Sequence, residues 1–145
     1  MSTPYTAKAT LIINAPPADV WDALTDPAMI KELMWGTDAI SEWEVGSTLV
    51  FRGEWQGTSY EDKGEILQMV PERLFQYTYF SAMSGQEDKP ENYNRITYEL
   101  DPERNGTRLS ISQEGCRDEK ARQHSEQNWT SLLQHMNDLL LKKSR

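Results

Sequence analysis

The chain has 145 residues, 37% hydrophobic, 26% charged and 10% aromatic, which suits one compact domain over residues 1–145 and excludes a disordered tail or a fibrous repeat. Its 15 Lys and Arg against 23 Asp and Glu give a net charge of −8, and only Lys142, Lys143 and Arg145 form a basic run free of acids. Nucleic acids and anionic membranes both demand a basic face, so neither is an expected partner.

Residues 1–8 lack the basic-then-apolar layout of a signal peptide. The longest aliphatic runs, 11–13 and 139–141, fall far short of the roughly 18 residues of a membrane span, so no membrane insertion is expected. The single cysteine, Cys116, has no internal disulfide partner; a reducing cytoplasm is the expected location, with the thiol a small buried group at a strand end.

In chain order, residues 5–14 alternate, with Tyr5, Ala7, Ala9, Leu11 and Ile13 on one side, which predicts a half-buried strand. Asn14-Ala15-Pro16-Pro17 turns the chain, and a proline opens a helix with Val20, Trp21 and Leu24 as its apolar stripe. Asp26-Pro27 ends it, and a second short helix is predicted over 27–33. Strands follow near 39–43, 48–55, 59–70, 73–82, 93–101 and 107–116, with connections at Pro71-Glu72, Asp101-Pro102 and Asn105-Gly106 and an exposed polar loop over 83–92. After Asp118, a candidate N-cap, the period changes. Ala121, Ser125, Trp129, Leu132, Leu133, Met136, Leu139 and Leu140 fall on one helical stripe.

Short connections make the sheet antiparallel. A last helix of about 24 residues spans about 36 Å and must lie across it. The expected class is therefore α+β: a curved antiparallel sheet wrapped around a long C-terminal helix, with two short helices after the first strand. Between helix and sheet lies a wedge that side chains are expected to fill incompletely.

The usual chemical signatures are missing. His124 and His135 lie about 16 Å apart along one helix and read as solvent-edge residues, so no metal site is expected. No nucleophile elbow, glycine-rich phosphate loop or other cofactor motif occurs. The acid pairs Glu61-Asp62, Glu87-Asp88 and Asp118-Glu119 point in different directions and read as solvated surface, and no catalytic residue is assigned.

Aromatic residues supply the remaining constellation. Alternation puts Leu49, Phe51, Gly53 and Trp55 on one face of the third strand. It does the same for Phe75, Tyr77 and Tyr79, for Ile96, Tyr98 and Leu100, and for Leu109, Ile111 and Gln113. Trp129, Leu133 and Met136 face them from the helix, and Trp35 and Trp43 are placed to close one end. Such a wedge suits a small apolar or aromatic ligand, with Tyr77, Tyr79, Tyr98 and Gln113 as its polar handles. The same rings equally suit a solid core.

Ala23-Leu24-Thr25-Asp26-Pro27 with Ile30, Trp35-Gly36, Trp43-Glu44-Val45-Gly46, Asp88-Lys89-Pro90-Glu91-Asn92-Tyr93 and Gly106-Thr107-Arg108-Leu109 occur in this order, followed by Trp129 and Leu132-Leu133. Together they resemble the activator of heat-shock ATPase homologue (AHSA-like) family of the START-like, SRPBCC helix-grip superfamily, over essentially the whole chain. The resemblance implies a helix-grip fold with a cavity under the last helix, and hydrophobic-ligand binding or a stress-associated role. Related helix-grip proteins include cyclases and aromatase-like catalysts, so an enzyme is the second expectation; it needs a buried ionisable group, which the inward faces do not offer. Arg52 and Arg95 turn inward only if a register slips by one. The third is an interaction protein with a chaperone partner, engaging through its acidic surface and residues 85–92. The eukaryotic co-chaperones of the family engage the chaperone through an extra N-terminal domain, which 145 residues are not expected to accommodate, so stimulation of a chaperone ATPase is not expected.

Overall fold

A computed structural model describes residues 5–81 and 84–143, except for the side chain of Trp55. The elements run β1 (Ala7–Ile13), α1 (Pro17–Thr25), α2 (Pro27–Leu33), β2 (Asp38–Ser41), β3 (Thr48–Trp55), β4 (Thr58–Val70), β5 (Leu74–Tyr79), a 3-10 turn (Pro90–Asn92), β6 (Asn94–Glu103), β7 (Gly106–Glu114) and α3 (Glu119–Lys143). One antiparallel sheet has the order β1-β7-β6-β5-β4-β3-β2, with α3 laid against it: a helix-grip α+β fold. No described helix is long and apolar enough to cross a membrane.

Local chemistry accounts for the punctuation. Pro17 and Pro27 each sit at the first helical turn, where the missing N–H costs nothing. Pro27 also forces Asp26 into an extended conformation (φ −97°, ψ 121°), which separates α1 from α2. Asp118 caps α3, its Oδ1 accepting the Ala121 N–H at 2.8 Å. At the other end Lys143 reaches Glu32 of α2 at 3.3 Å.

Asp101-Pro102 is not a connection: β6 runs through it to Glu103, and Pro102 pairs with Thr107 of β7. Proline is tolerated because β5 pairs no further than Glu99, so this end of β6 is an edge. The residues after β5 are exposed from Gly85 to Glu91, as expected, and tied back by a stack of Phe80 on Tyr93 and an ion pair of Lys63 with Asp88; positions 82 and 83 of the predicted strand and loop lie outside the described residues.

β4 is the corner of the sheet. Its first part pairs with β3 and its last part with β5, with a register shift between Ile66 and Gln68. The core fills the concave side, from Val20, Leu24, Ile30 and Leu33 of the short helices to Leu132, Leu133, Met136 and Leu140 of α3. Cys116 is buried just beyond β7.

His135 departs from the solvent-edge reading, while His124 conforms to it. Because α2 packs on α3, the His135 ring is half-buried, with Nδ1 2.8 Å from the Leu33 carbonyl and Trp35 stacked on it at 4.7 Å and 12°.

Candidate functional site

The site begins at a two-residue turn. Gln56 and Gly57 both have positive φ (50° and 78°), as a tight hairpin matched to strand twist requires. The turn pairs Trp55 with Thr58 and thereby Gly53 with Tyr60 and Phe51 with Asp62. Since Phe51 faces the core, so do Tyr60 and Asp62. Tyr60 lies across Gly53, where an added Cβ would fall 2.6 Å from its hydroxyl. There it reaches Thr37 Oγ1 at 2.6 Å; Thr37 donates its own proton to the Met34 carbonyl, so Tyr60 is the donor.

Among the described residues, eight rings form a connected interior cluster. Phe75 touches Trp21, Trp43, Tyr77 and Tyr98, with centroids 5.3 to 6.4 Å away. Phe51 touches Tyr77 and Tyr79, Tyr77 meets Tyr98 edge-on at 5.6 Å, and Tyr98 meets Trp129 edge-on at 6.0 Å. These are favourable offset and edge-to-face geometries, each contributing about 0.5–1.5 kcal/mol beyond burial. Three polar contacts lace the cluster. Tyr77 and Tyr98 share a hydroxyl–hydroxyl bond of 2.6 Å, Trp129 Nε1 donates to Gln113 Oε1 at 2.8 Å, and Tyr79 donates to Asp62 Oδ2 at 2.5 Å.

Sequence-predicted residues thus divide. Trp43, Phe51, Tyr77, Tyr79, Tyr98, Gln113 and Trp129 come together, with Leu133 and Met136 buried beneath. Trp35 does not join them: it is 66% exposed, in a left-handed conformation (φ 50°) just past α2, where the Gly36 N–H returns to the Lys31 carbonyl and turns the chain outward. The side chain of Trp55 lies outside the described residues.

Two expectations fail. The wedge is packed by ring-on-ring contact, because large planar side chains from both walls meet in it. Two surface depressions lie on α3 away from it, one lined by His135, Asp138, Leu139, Leu141 and Lys142, another by Gln123, Glu126, Gln127, Thr130 and Ser131. The inner face also holds an ionisable group: Asp62, read as solvated, is only 8% exposed, and its Oδ1 is buried with no hydrogen-bond partner among the described residues. Its neighbour Glu61 is the outward member of that pair, bridged to Arg52 at 2.8 Å. Arg52 and Arg95 both remain outside, Arg95 paired with Glu114 at 2.7 Å. Asp62, Tyr60 and Thr37 are the residues that sequence reasoning missed; for the first two the signal was the Gln56-Gly57 turn, which fixes the register of β4 against Phe51.

Burial raises the phenol pKa of Tyr77, Tyr79 and Tyr98, aided at Tyr77 by Tyr98 and at Tyr79 by the Asp62 charge. All three remain neutral donors. Their folded-state values lie above the unfolded value of 10.0, so their contribution to stability is complete below that pH and is lost as pH rises toward the folded-state values. An alkaline titration followed by phenolate absorbance is expected to show these three tyrosines ionising only together with unfolding; smooth ionisation of all six near pH 10 in the folded protein would contradict the burial.

Residues 14–140 match the family described as "Activator of Hsp90 ATPase homolog 1-like protein". Among solved structures, the solution structure of a Cytophaga hutchinsonii protein is 40% identical, with a TM-score of 0.85 and 99% of each chain covered. The crystal structure of a Mesorhizobium loti protein is 26% identical, with a TM-score of 0.76, covering 94% of this chain and 97% of that one. The solution structure of the Aha1 dimer from Colwellia psychrerythraea shares the fold at 18% identity, with a TM-score of 0.72, covering 92% of this chain and 93% of that one. No curated protein matches the chain.

Proposed function

Since the chain belongs to the Activator of Hsp90 ATPase homolog 1-like family, we propose that it is one helix-grip domain over residues 1–145 that binds a small, mostly apolar or aromatic molecule between sheet and α3. Members of this family and its superfamily often bind hydrophobic ligands. The observation that carries the reading is how the wedge is closed. The backbone of α3 runs against β1, with smaller approaches to α1 and α2, and the Trp129 ring reaches across to Tyr98 of β6. Trp129 closes that span while half-buried, held by one hydrogen bond to Gln113 and one edge contact with Tyr98.

Swinging Trp129 outward uncovers Tyr98 and Tyr77, and a planar ligand takes the place of the indole. Losing the bond and the ring contact costs on the order of 1–3 kcal/mol. A ligand of micromolar affinity, with about 8 kcal/mol of binding free energy, exceeds that cost. The lone thiol fits a cytoplasmic location.

The test is a titration against a panel of lipids and aromatic polyketide-like compounds, read by tryptophan fluorescence and by the amide and indole resonances. Saturable quenching, with shifts centred on Trp129, Gln113 and Tyr98, is expected. An absence of saturable response across the panel, or shifts confined to the outward side of α3, sinks the proposal. A chaperone-binding role is the second reading, favoured by the description of the matched family; co-purification without chaperone enrichment counts against it.

A further inference from the structure

Among the described residues, Asp62 is the charged side chain that this fold buries. A buried carboxylate with one oxygen unsatisfied is costly, and proteins seldom keep one without a partner. Oδ2 is engaged by Tyr79, whose phenol donates and carries no positive charge. The basic residues nearest in sequence, Arg52 across the ladder and Lys63 next along the strand, are turned to the outer face and engaged there by Glu61 and Asp88. The fold therefore buries a half-satisfied carboxyl group and, among the described residues, pairs it with no cation.

The surroundings narrow what fits Oδ1. Phe51 stands opposite Asp62 in the ladder, and the rings of Phe51 and Tyr79 lie 6.2 Å apart. Aromatic faces beside a carboxylate suit an organic ammonium, which donates a charge-assisted hydrogen bond to the oxygen and gains cation–π attraction from the rings. One carboxylate and one phenol make a poor shell for a hard metal cation, which wants about six or more oxygens. The net charge of −8 draws cations toward the surface as a whole. We propose that Asp62 Oδ1 is the anchor for a protonated amine carried on a small apolar or aromatic body. This rests on the ligand-binding reading above and gives its ligand a charge and a contact atom.

The test compares two probes of nearly the same shape, 1-naphthylmethylamine and 1-naphthylmethanol, titrated at physiological salt by calorimetry and by amide shifts. The wild-type protein is expected to bind the amine at least about tenfold more tightly than the alcohol, as a hydrogen bond to a charged group implies. Asp62→Asn is expected to abolish the preference, weakening the amine far more than the alcohol. Should that variant fail to fold, Tyr79→Phe keeps the carboxylate and must keep the preference. Equal binding of the two probes to wild type, or a preference that survives Asp62→Asn, overturns the anchor and leaves apolar binding standing. Loss of the preference in Tyr79→Phe also overturns it. Binding of neither probe overturns the anchor too, and the panel titration then decides the wider reading separately.

Discussion

Replacing Gly64 with alanine is expected to cost about 3 kcal/mol or more, at or beyond the upper end of ordinary overpacking. A Cβ at this position would lie 1.6 Å from the Thr78 carbonyl oxygen and 2.5 Å from its carbon. Those are backbone atoms of the neighbouring strand, so no rotamer change relieves the clash. β5 must move away from β4. In moving it strains the paired bonds between Lys63 and Phe80, 3.1 and 2.8 Å long, and the bond from the Glu65 N–H to Thr78 Oγ1, 2.9 Å long. It also draws Tyr79 away from Asp62. Urea unfolding measures the effect as a lower midpoint at unchanged slope. Gly46→Ala is the control: its φ of 91° strains any side chain, but nothing lies within 4 Å of the added carbon, so a loss of about 1–2 kcal/mol is expected from conformation alone. Equal losses at the two sites would show that β4 and β5 do not approach as described.

Phe75→Ala is expected to remove about 3–5 kcal/mol, the range for a buried aromatic whose cavity cannot collapse. Phe75 is 1% exposed and is the ring on which Trp21, Trp43, Tyr77 and Tyr98 converge. All four neighbours are large, and Tyr77 and Tyr98 are held by their shared hydroxyl bond and by further rings, so relaxation into the gap is poor. An apolar cavity of this kind stays dry and takes up small aromatics, and benzene should raise the variant's unfolding midpoint more than it raises that of the wild-type protein. Tyr98→Phe is the milder companion. It keeps the ring and strips the Tyr77 hydroxyl of its partner, at about 1–3 kcal/mol. A loss below about 1 kcal/mol in Phe75→Ala would mean that the cluster is loosely packed after all.

The architecture was legible because its signals are local and redundant. Prolines 17 and 27 mark helix starts, Asp118 marks a cap, and alternation in 75–79, 96–100 and 109–113 names the inner face of each strand. The errors arose where one residue answers to a distant neighbour. Pro102 reads as a turn until one sees that β5 has already ended beside it. His135 reads as solvent-facing on its own helix, but α2 packs across it. Trp35 reads as a lid, but the turn that ends α2 points it outward. Asp62 is the instructive miss: charge argued for solvent, whereas the hairpin register, itself readable from Gln56-Gly57, argued for the interior, and register prevailed.

The pairing of β1 with β7, Ala7 opposite Gln113 at one end and Ile13 opposite Thr107 at the other, bears on how the molecule comes into being. β1 has no neighbour to join until some hundred further residues have been made, and α3, which also rests on β1, emerges later still. A fold rich in such distant pairings pays its loop-closure entropy before those contacts reward it, which points to folding in milliseconds to seconds and to completion only once α3 has been made. Until then β1 is unpaired and the core face that α3 covers is open, so a nascent chain halted before α3 is a form of this protein exposed to aggregation.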